Sequence, residues 1–178
     1  MLRAISNTLT TFERYGAIFC VALVTILIGL NVVTRALNQA LFWVDEIAIY
    51  AMVWMLFLTT AFLLKRRQAV AVTIVVDLAP TAVNKVINKI VDVVVLLFSI
   101  LLIVFSFYWY QPFDLFLAGF DFDKFSSNTF NFIYTERGNT IPINKFWIWI
   151  IMPYFALSVF IHSLVNLLYS DSTQETTS

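Results

Sequence analysis

Two adjacent carboxylates, Asp45 and Glu46, follow Trp43 and open a long apolar run that closes on Lys65, Arg66 and Arg67. Such a pair could bind a cation, move a proton, or hold a basic or hydrogen-bonding partner, depending on what else the chain brings to it. Little else is offered. His162 is the single histidine, so one chain cannot supply both axial ligands of a bis-histidine haem. Metal sites need several His, Cys or carboxylate ligands at workable spacing, and none occurs. Asp121 and Asp123 evoke calcium, but the Gly-x5-Glu continuation of a calcium loop is missing. Cys20 is the single cysteine, which excludes a disulfide framework; within its apolar run it reads as a small buried or lipid-facing side chain. There is no glycine-rich phosphate loop, no Ser/His/Asp set and no Cys/His pair. The sequence therefore predicts no enzyme, with no catalytic residue, cofactor or metal.

Transport is the remaining chemistry, because polar groups inside membrane helices are functional candidates by default. They are Asn31, Asp92, His162 and Asn166, with a few serines and threonines such as Thr25, Ser99, Ser106 and Ser158. Asp92 stands near the start of its span, so it reads as a structural charge that pairs with Lys85, Lys89 or Arg66. His162 is expected to hydrogen-bond a neighbouring helix or to lie near the inner interface. Transporters that work alone tend to carry broken helices in repeated halves; here Pro153 is the one candidate breaker, and Gly29 stands without a Gly-x-x-x-Gly partner.

The elements that must position these residues are membrane helices. Of 178 residues, 61% are hydrophobic and 12% charged, about half the charge of an ordinary soluble domain. Net charge is zero, which leaves no electrostatic footprint for nucleic acid. A bilayer core needs roughly 20 apolar residues of helix, and four runs qualify: about 15–33, 47–64, 90–110 and 146–168. The fold class is an all-α integral membrane protein of one four-helix domain, 1–169, followed by a disordered polar tail, 170–178. Val70–Ala79 is too short to cross, stops at Pro80, and reads as an interfacial connector. With both termini cytoplasmic, Arg3, Arg14, Lys65, Arg66, Arg67, Lys85 and Lys89 lie inside, and Arg35, Lys124, Arg137 and Lys145 outside, as the bias of basic residues toward cytoplasmic loops requires. Asp45 and Glu46 then sit at the outer face. Leu2, Ile5, Leu9 and Phe12 recur at helical spacing, which predicts an N-terminal amphipathic helix on the inner surface. The connection 111–144, periplasmic in this orientation, holds too many phenylalanines for a free loop and is expected along the outer interface or against a partner.

"W-V-D-E-I-A-x-Y-x-M-V-W-x-x-F-L", Trp43–Leu58, resembles the signature of the small membrane subunit of tripartite ATP-independent periplasmic (TRAP) transporters. The basic turn Lys65–Arg67, then Val70, Val72 and Pro80, continue the pattern in frame, and "T-I-P" at Thr140–Pro142 with "I-I-M-P" at Ile150–Pro153 resembles the family's entry into its fourth span. The chain departs from it at Ile49, where the family has arginine, at Ala69, where it has histidine, and at Thr73, where it has a carboxylate that Asp77 could replace. Its long connection is also unusual. The resemblance implies a scaffolding subunit of the bacterial inner membrane, in a stable complex with a large elevator-type membrane subunit. That complex would take up an organic acid, such as a sialic acid or a four-carbon dicarboxylate, with sodium, from a periplasmic binding protein that docks transiently. On this reading Trp43, Asp45, Glu46, Tyr50 and Trp54 anchor span two or meet a partner, and Lys65, Arg66 and Arg67 lock topology and touch anionic lipids. Asp92 remains a structural charge. A self-sufficient small transporter, or the membrane anchor of a redox complex, remains open as an alternative.

Overall fold

A computed structural model of the chain describes residues 1–67 and 81–169, apart from the side chains at 81, 82 and 85. The connector Val70–Ala79 with Pro80, the positions 69, 73 and 77, and the tail 170–178 lie outside the described residues. The chain runs α1 (Leu2–Ala36), α2 (Phe42–Arg66), α3 (Thr81–Tyr110), α4 (Pro112–Leu117), α5 (Phe122–Thr129), α6 (Phe146–Trp149) and α7 (Ile151–Leu168). Four helical stretches are long and apolar enough to cross a membrane: α1, α2, a stretch from Val86 through α4, and α6 with α7. Among the described residues the one β pairing is an isolated antiparallel bridge between Arg137 and Asn144.

The N-terminal segment is helical, and it runs without a break into the first span as one helix of 35 residues. At about 1.5 Å per residue that helix is longer than a hydrocarbon core of roughly 30 Å, so its first turns extend beyond it. Leu2 and Ile5 are exposed, while the Phe12 ring meets Tyr154 edge-on at 5.7 Å. The buried positions are Ser6, Glu13, Cys20 and Leu27, one every seventh residue, which is the stripe a helix keeps against a neighbour it follows at a shallow angle. The third span shows the same device with Asp92, Ser99 and Ser106 buried. Apart from Leu27, the inward side chains in both stripes are small or polar. That is the membrane arrangement, in which small residues allow close approach and polar ones link helices while large apolar groups face outward.

α7 is the shared helix. It packs against α1, α2 and α3, and α1 packs along α2 as an antiparallel hairpin. Ala48, Ala51 and Ala61 keep α2 thin where it is buried, and a Cβ at Gly16 of α1 would come within 2.9 Å of Leu58 Cδ1. Cys20 is buried with Leu58 and Ile151. Asn38 turns the α1–α2 connection with a φ of 59°, a left-handed conformation that asparagine tolerates. The fourth apolar run breaks at Ile150, between α6 and α7. Pro153 sits in the first turn of α7, where a missing N–H costs no helical bond.

Residues 111–145 form a small lobe at one end of the bundle. Its core is Leu115, Ala118, Phe125, Ile133, Tyr134 and Phe146. Tyr134 stacks on Phe122 with ring centroids 5.4 Å apart, and its hydroxyl donates to the Tyr110 carbonyl at 2.6 Å. Burial pushes the Tyr134 phenol up from its ordinary value, which keeps that donor protonated. Asp121 caps α5, accepting from the Asp123 and Lys124 N–H groups at 3.0 and 3.1 Å. Phe125 is fully buried. Truncation of a buried phenylalanine costs about 3–5 kcal/mol, so Phe125→Ala should open the lobe to limited proteolysis while leaving the far-ultraviolet helical signal of the spans unchanged.

Candidate functional site

The two neighbouring acids serve different ends. Asp45 faces α1: Arg35 Nη2 donates to its Oδ2 at 2.7 Å, and the Asn31 amide donates to Oδ1. Arg35 Nε in turn donates to Asn31 Oδ1 at 2.9 Å, which closes a three-residue ring across the hairpin. The pair is partly exposed, 59% for the Arg35 side chain and 44% for Asp45, and exposed ion pairs contribute at most about 1 kcal/mol.

Glu46 points the other way, into the lobe. Its Oε1 accepts from the Asn139 N–H at 2.8 Å, and Oε2 accepts from the Thr140 and Ile141 N–H groups at 2.6 and 3.1 Å. The hydroxyls of Thr140 and Tyr50 also donate to it. Five donors converge on one carboxylate, three of them consecutive backbone N–H groups about 93–95 residues downstream. This is a nest of the kind that successive N–H groups make for anions, and bonds to an ionised acceptor are the strong ones. Gly138 permits it: a Cβ there would lie 2.6 Å from both Glu46 Oε1 and the Ile141 carbonyl oxygen. The turn is held from behind by Gly138 N–H to Ile143 O at 2.9 Å and Lys145 N–H to Glu136 O at 2.8 Å, with a Lys145–Glu136 ion pair at 2.7 Å.

Tyr50 and Trp54 extend this attachment along α2. Tyr50 donates to Glu46, and Trp54 Nε1 donates to the Ile148 carbonyl of α6 at 2.9 Å. Trp43 is exposed at the same end. The arginine that the family pattern places at 49 is an exposed isoleucine here; the arginine that meets Asp45 comes from α1.

At the other end of α2, Arg67 adopts a left-handed conformation, φ 54°, and turns its guanidinium back onto Asp92 of α3. It also donates to the Asn166 carbonyl of α7 at 3.2 Å, and the Asn166 amide donates to the Lys65 carbonyl at 3.3 Å. Asp92 thus belongs with Arg67, and not with Arg66, whose guanidinium lies over the Phe62 ring at 4.8 Å. One consequence of burial decides the difference: Asp92 is buried and Arg66 exposed. Lys65 is half-buried between them.

The fourth polar group was not legible as a site in the sequence. Glu13 and His162 are both fully buried. His162 Nε2 lies 3.2 and 3.1 Å from the two Glu13 oxygens, Nδ1 lies 2.8 Å from Ser6 Oγ, and the Ser158 hydroxyl donates to Glu13. Both ring nitrogens are engaged, as the expectation of a histidine bonded to a neighbouring helix requires. The seven-residue spacing of Ser6, Glu13 and Cys20 is the signal that could have placed Glu13 on the inward stripe.

Comparison with known proteins follows these features. Residues 24–172 match the family model described as the DctQ component of tripartite ATP-independent periplasmic transporters. The chain is 28% identical over 104 residues to the C4-dicarboxylate TRAP transporter small permease protein DctQ of Vibrio cholerae, covering 58% of this chain and 45% of that protein. It is 29% identical over 112 residues to a protein of Haemophilus influenzae named as a TRAP transporter small permease protein, covering 62% of this chain and 70% of that one. The matched part thus spans less than half the length of the Vibrio protein. No solved structure matches the chain.

Two outcomes test these attachments. Glu46→Ala and Gly138→Ala should each speed tryptic cleavage after Arg137 by at least roughly tenfold, the effect of losing one charge-assisted hydrogen bond, whereas Arg35→Gln should not. Arg67→Gln leaves a buried carboxylate without its ion partner, a loss of up to about 3–5 kcal/mol; it should lower the melting temperature in detergent clearly more than Arg66→Gln does.

Proposed function

The chain belongs to the DctQ component family of tripartite ATP-independent periplasmic transporters, and from that membership we propose that it is the scaffold against which a large, moving membrane subunit works. It is a multi-pass protein of the bacterial inner membrane and the small permease subunit of a transporter; the family is one of transporter subunits and not of enzymes. In the proposed division of labour, the large subunit carries the substrate and the coupling ion, which is sodium. A periplasmic binding protein delivers the substrate, an organic acid of the sialic acid or four-carbon dicarboxylate class. This chain stays fixed beside the moving part.

The observation that carries the scaffold reading is where the intramembrane polar groups go. Glu13, Glu46, Asp92 and His162 are each engaged by partners within the chain. Each of these attachments joins two different elements of the fold, so they hold the helices to one another. The exterior offered to lipid or to a larger subunit is apolar, with Phe19, Ile26, Leu56 and Phe105 exposed. In the orientation set by the basic residues, the Glu46 seat faces the periplasm and the Arg67–Asp92 pair faces the cytoplasm. Arg35 and Asp45 are then an exposed charge pair on the bundle at that face, available to the large subunit or to the docked binding protein. Lys65 and Arg66 contact anionic headgroups, each base contributing about 1 kcal/mol.

The test is co-purification of the tagged chain from native membranes in mild detergent. A stoichiometric polytopic partner is expected, and uptake by that complex with its binding protein then identifies the substrate. A chain that emerges alone as a homo-oligomer, active in reconstituted uptake, would overturn the scaffold reading. Asp45→Ala with Glu46→Ala should reduce recovery of the partner and uptake together.

A further inference from the structure

The lobe at the Glu46 end has two exteriors of opposite character. α5 turns Phe122, Phe125, Ser126 and Thr129 inward and presents Asp123, Lys124, Ser127 and Asn128 outward, the 3–4 spacing of an ordinary water-facing amphipathic helix. α4 does the reverse. Leu115 and Ala118 enter the lobe core, while Phe113, Phe116, Leu117 and Phe120 stand outward, exposed by 69, 67, 77 and 65%. Phe113, Phe116 and Leu117, at i, i+3 and i+4, share a face of α4, and the Phe120 ring, just beyond the helix, meets Phe116 edge-on with centroids 6.1 Å apart, so these residues form one apolar surface.

Its position says what covers it. Gln111, with φ 43°, bends the chain as α3 ends, so α4 starts one residue beyond a membrane helix. The Phe113 ring meets Phe107 of α3 at 5.4 Å. Phe107 is itself exposed and borders an open apolar groove with Pro112 of α4 and with Pro153 and Leu157 of α7, so the apolar surface of α4 continues the outward apolar surface of the membrane spans. On the other side of the junction, the Asn131 amide donates to the Trp109 carbonyl at 2.8 Å, which holds the exposed Phe130 and Phe132 close to the same helix end.

We propose that α4 is a membrane-interface anchor: Phe113, Phe116, Leu117 and Phe120 lie in the boundary between lipid headgroups and acyl chains, and α5 faces water. The occupant of this surface is the bilayer itself, recognised by aromatic and aliphatic area at interface depth. The proposal depends on the chain being a membrane protein and not on the scaffold role. The anchor keeps the lobe, and with it the turn bound by Glu46, pressed onto the membrane.

The test uses the full chain with whatever co-purifies, in a Cys20→Ala background, with a bimane label at Leu117→Cys or at Ser127→Cys. Both positions are exposed, so the labels leave the lobe core untouched. Samples are reconstituted in phosphatidylethanolamine–phosphatidylglycerol vesicles with or without brominated acyl chains. The expected result is several-fold stronger quenching by brominated lipid at 117 than at 127, and the reverse order with aqueous iodide. Equal iodide quenching at both positions would show a water-facing surface, and protection of 117 from both quenchers would show a protein cover; either result overturns the proposal.

Discussion

A carboxylate at the end of an apolar helix has to find its hydrogen-bond donors in its own molecule or stay in water. Glu46 finds five, and three of them are the backbone N–H groups of one turn. That one attachment fixes the height of α2 relative to the start of the fourth span, because Glu46 meets Asn139 and Thr140 and, about two turns along α2, Trp54 meets Ile148. Everything at this end follows from it. Gly138 must lack a side chain, Lys145 and Glu136 close the turn from behind, and Tyr110 donates to the Phe146 carbonyl at 3.2 Å to join the third span to the same corner.

The opposite end is tied by a different device. Arg67 leaves the helical conformation just past the last residue of α2 and reaches both α3 and α7, while Glu13 and Ser6 of α1 close on His162 of α7. The fourth span, α6 with α7, is thus tied at both ends, by Trp54 at Ile148 and by Arg67 at Asn166, and α1, α2 and α3 pack against α7. Packing supplies the middle, where Phe57 and Phe155 meet edge to face at 5.1 Å and alanines allow close approach. In a membrane, apolar area alone gives helices little reason to prefer one another over lipid, so small-residue contact and polar links set the arrangement.

How much of this the sequence disclosed differs by feature and for identifiable reasons. The four spans were legible because length and hydropathy report on the solvent that each helix must face. The division of Asp45 from Glu46 was not, because adjacent residues on a helix point about 100° apart, and which neighbour each meets depends on chain segments far away. For Asp92 the sequence offered Lys85, Lys89 or Arg66 as partners; the base it meets is Arg67, and that choice turned on the left-handed residue that ends α2, a conformation that spacing does not reveal. Glu13 escaped notice because Leu2, Ile5, Leu9 and Phe12 are the more visible pattern. In a soluble protein that stripe would face inward; here Leu2 and Ile5 face out, and the sparse polar stripe of Ser6 and Glu13 faces in.

The clasp between α1 and α7 also bears on biogenesis. Ser158 and His162 lie 145 and 149 residues after Glu13, so a ribosome delivers the acid to the membrane long before it delivers the partners. Until the fourth span arrives, the first can satisfy Glu13 only by keeping it near water or a headgroup. The helix that is made first is therefore the last to be locked at its full depth, and closure of the bundle reports that the final span has been inserted.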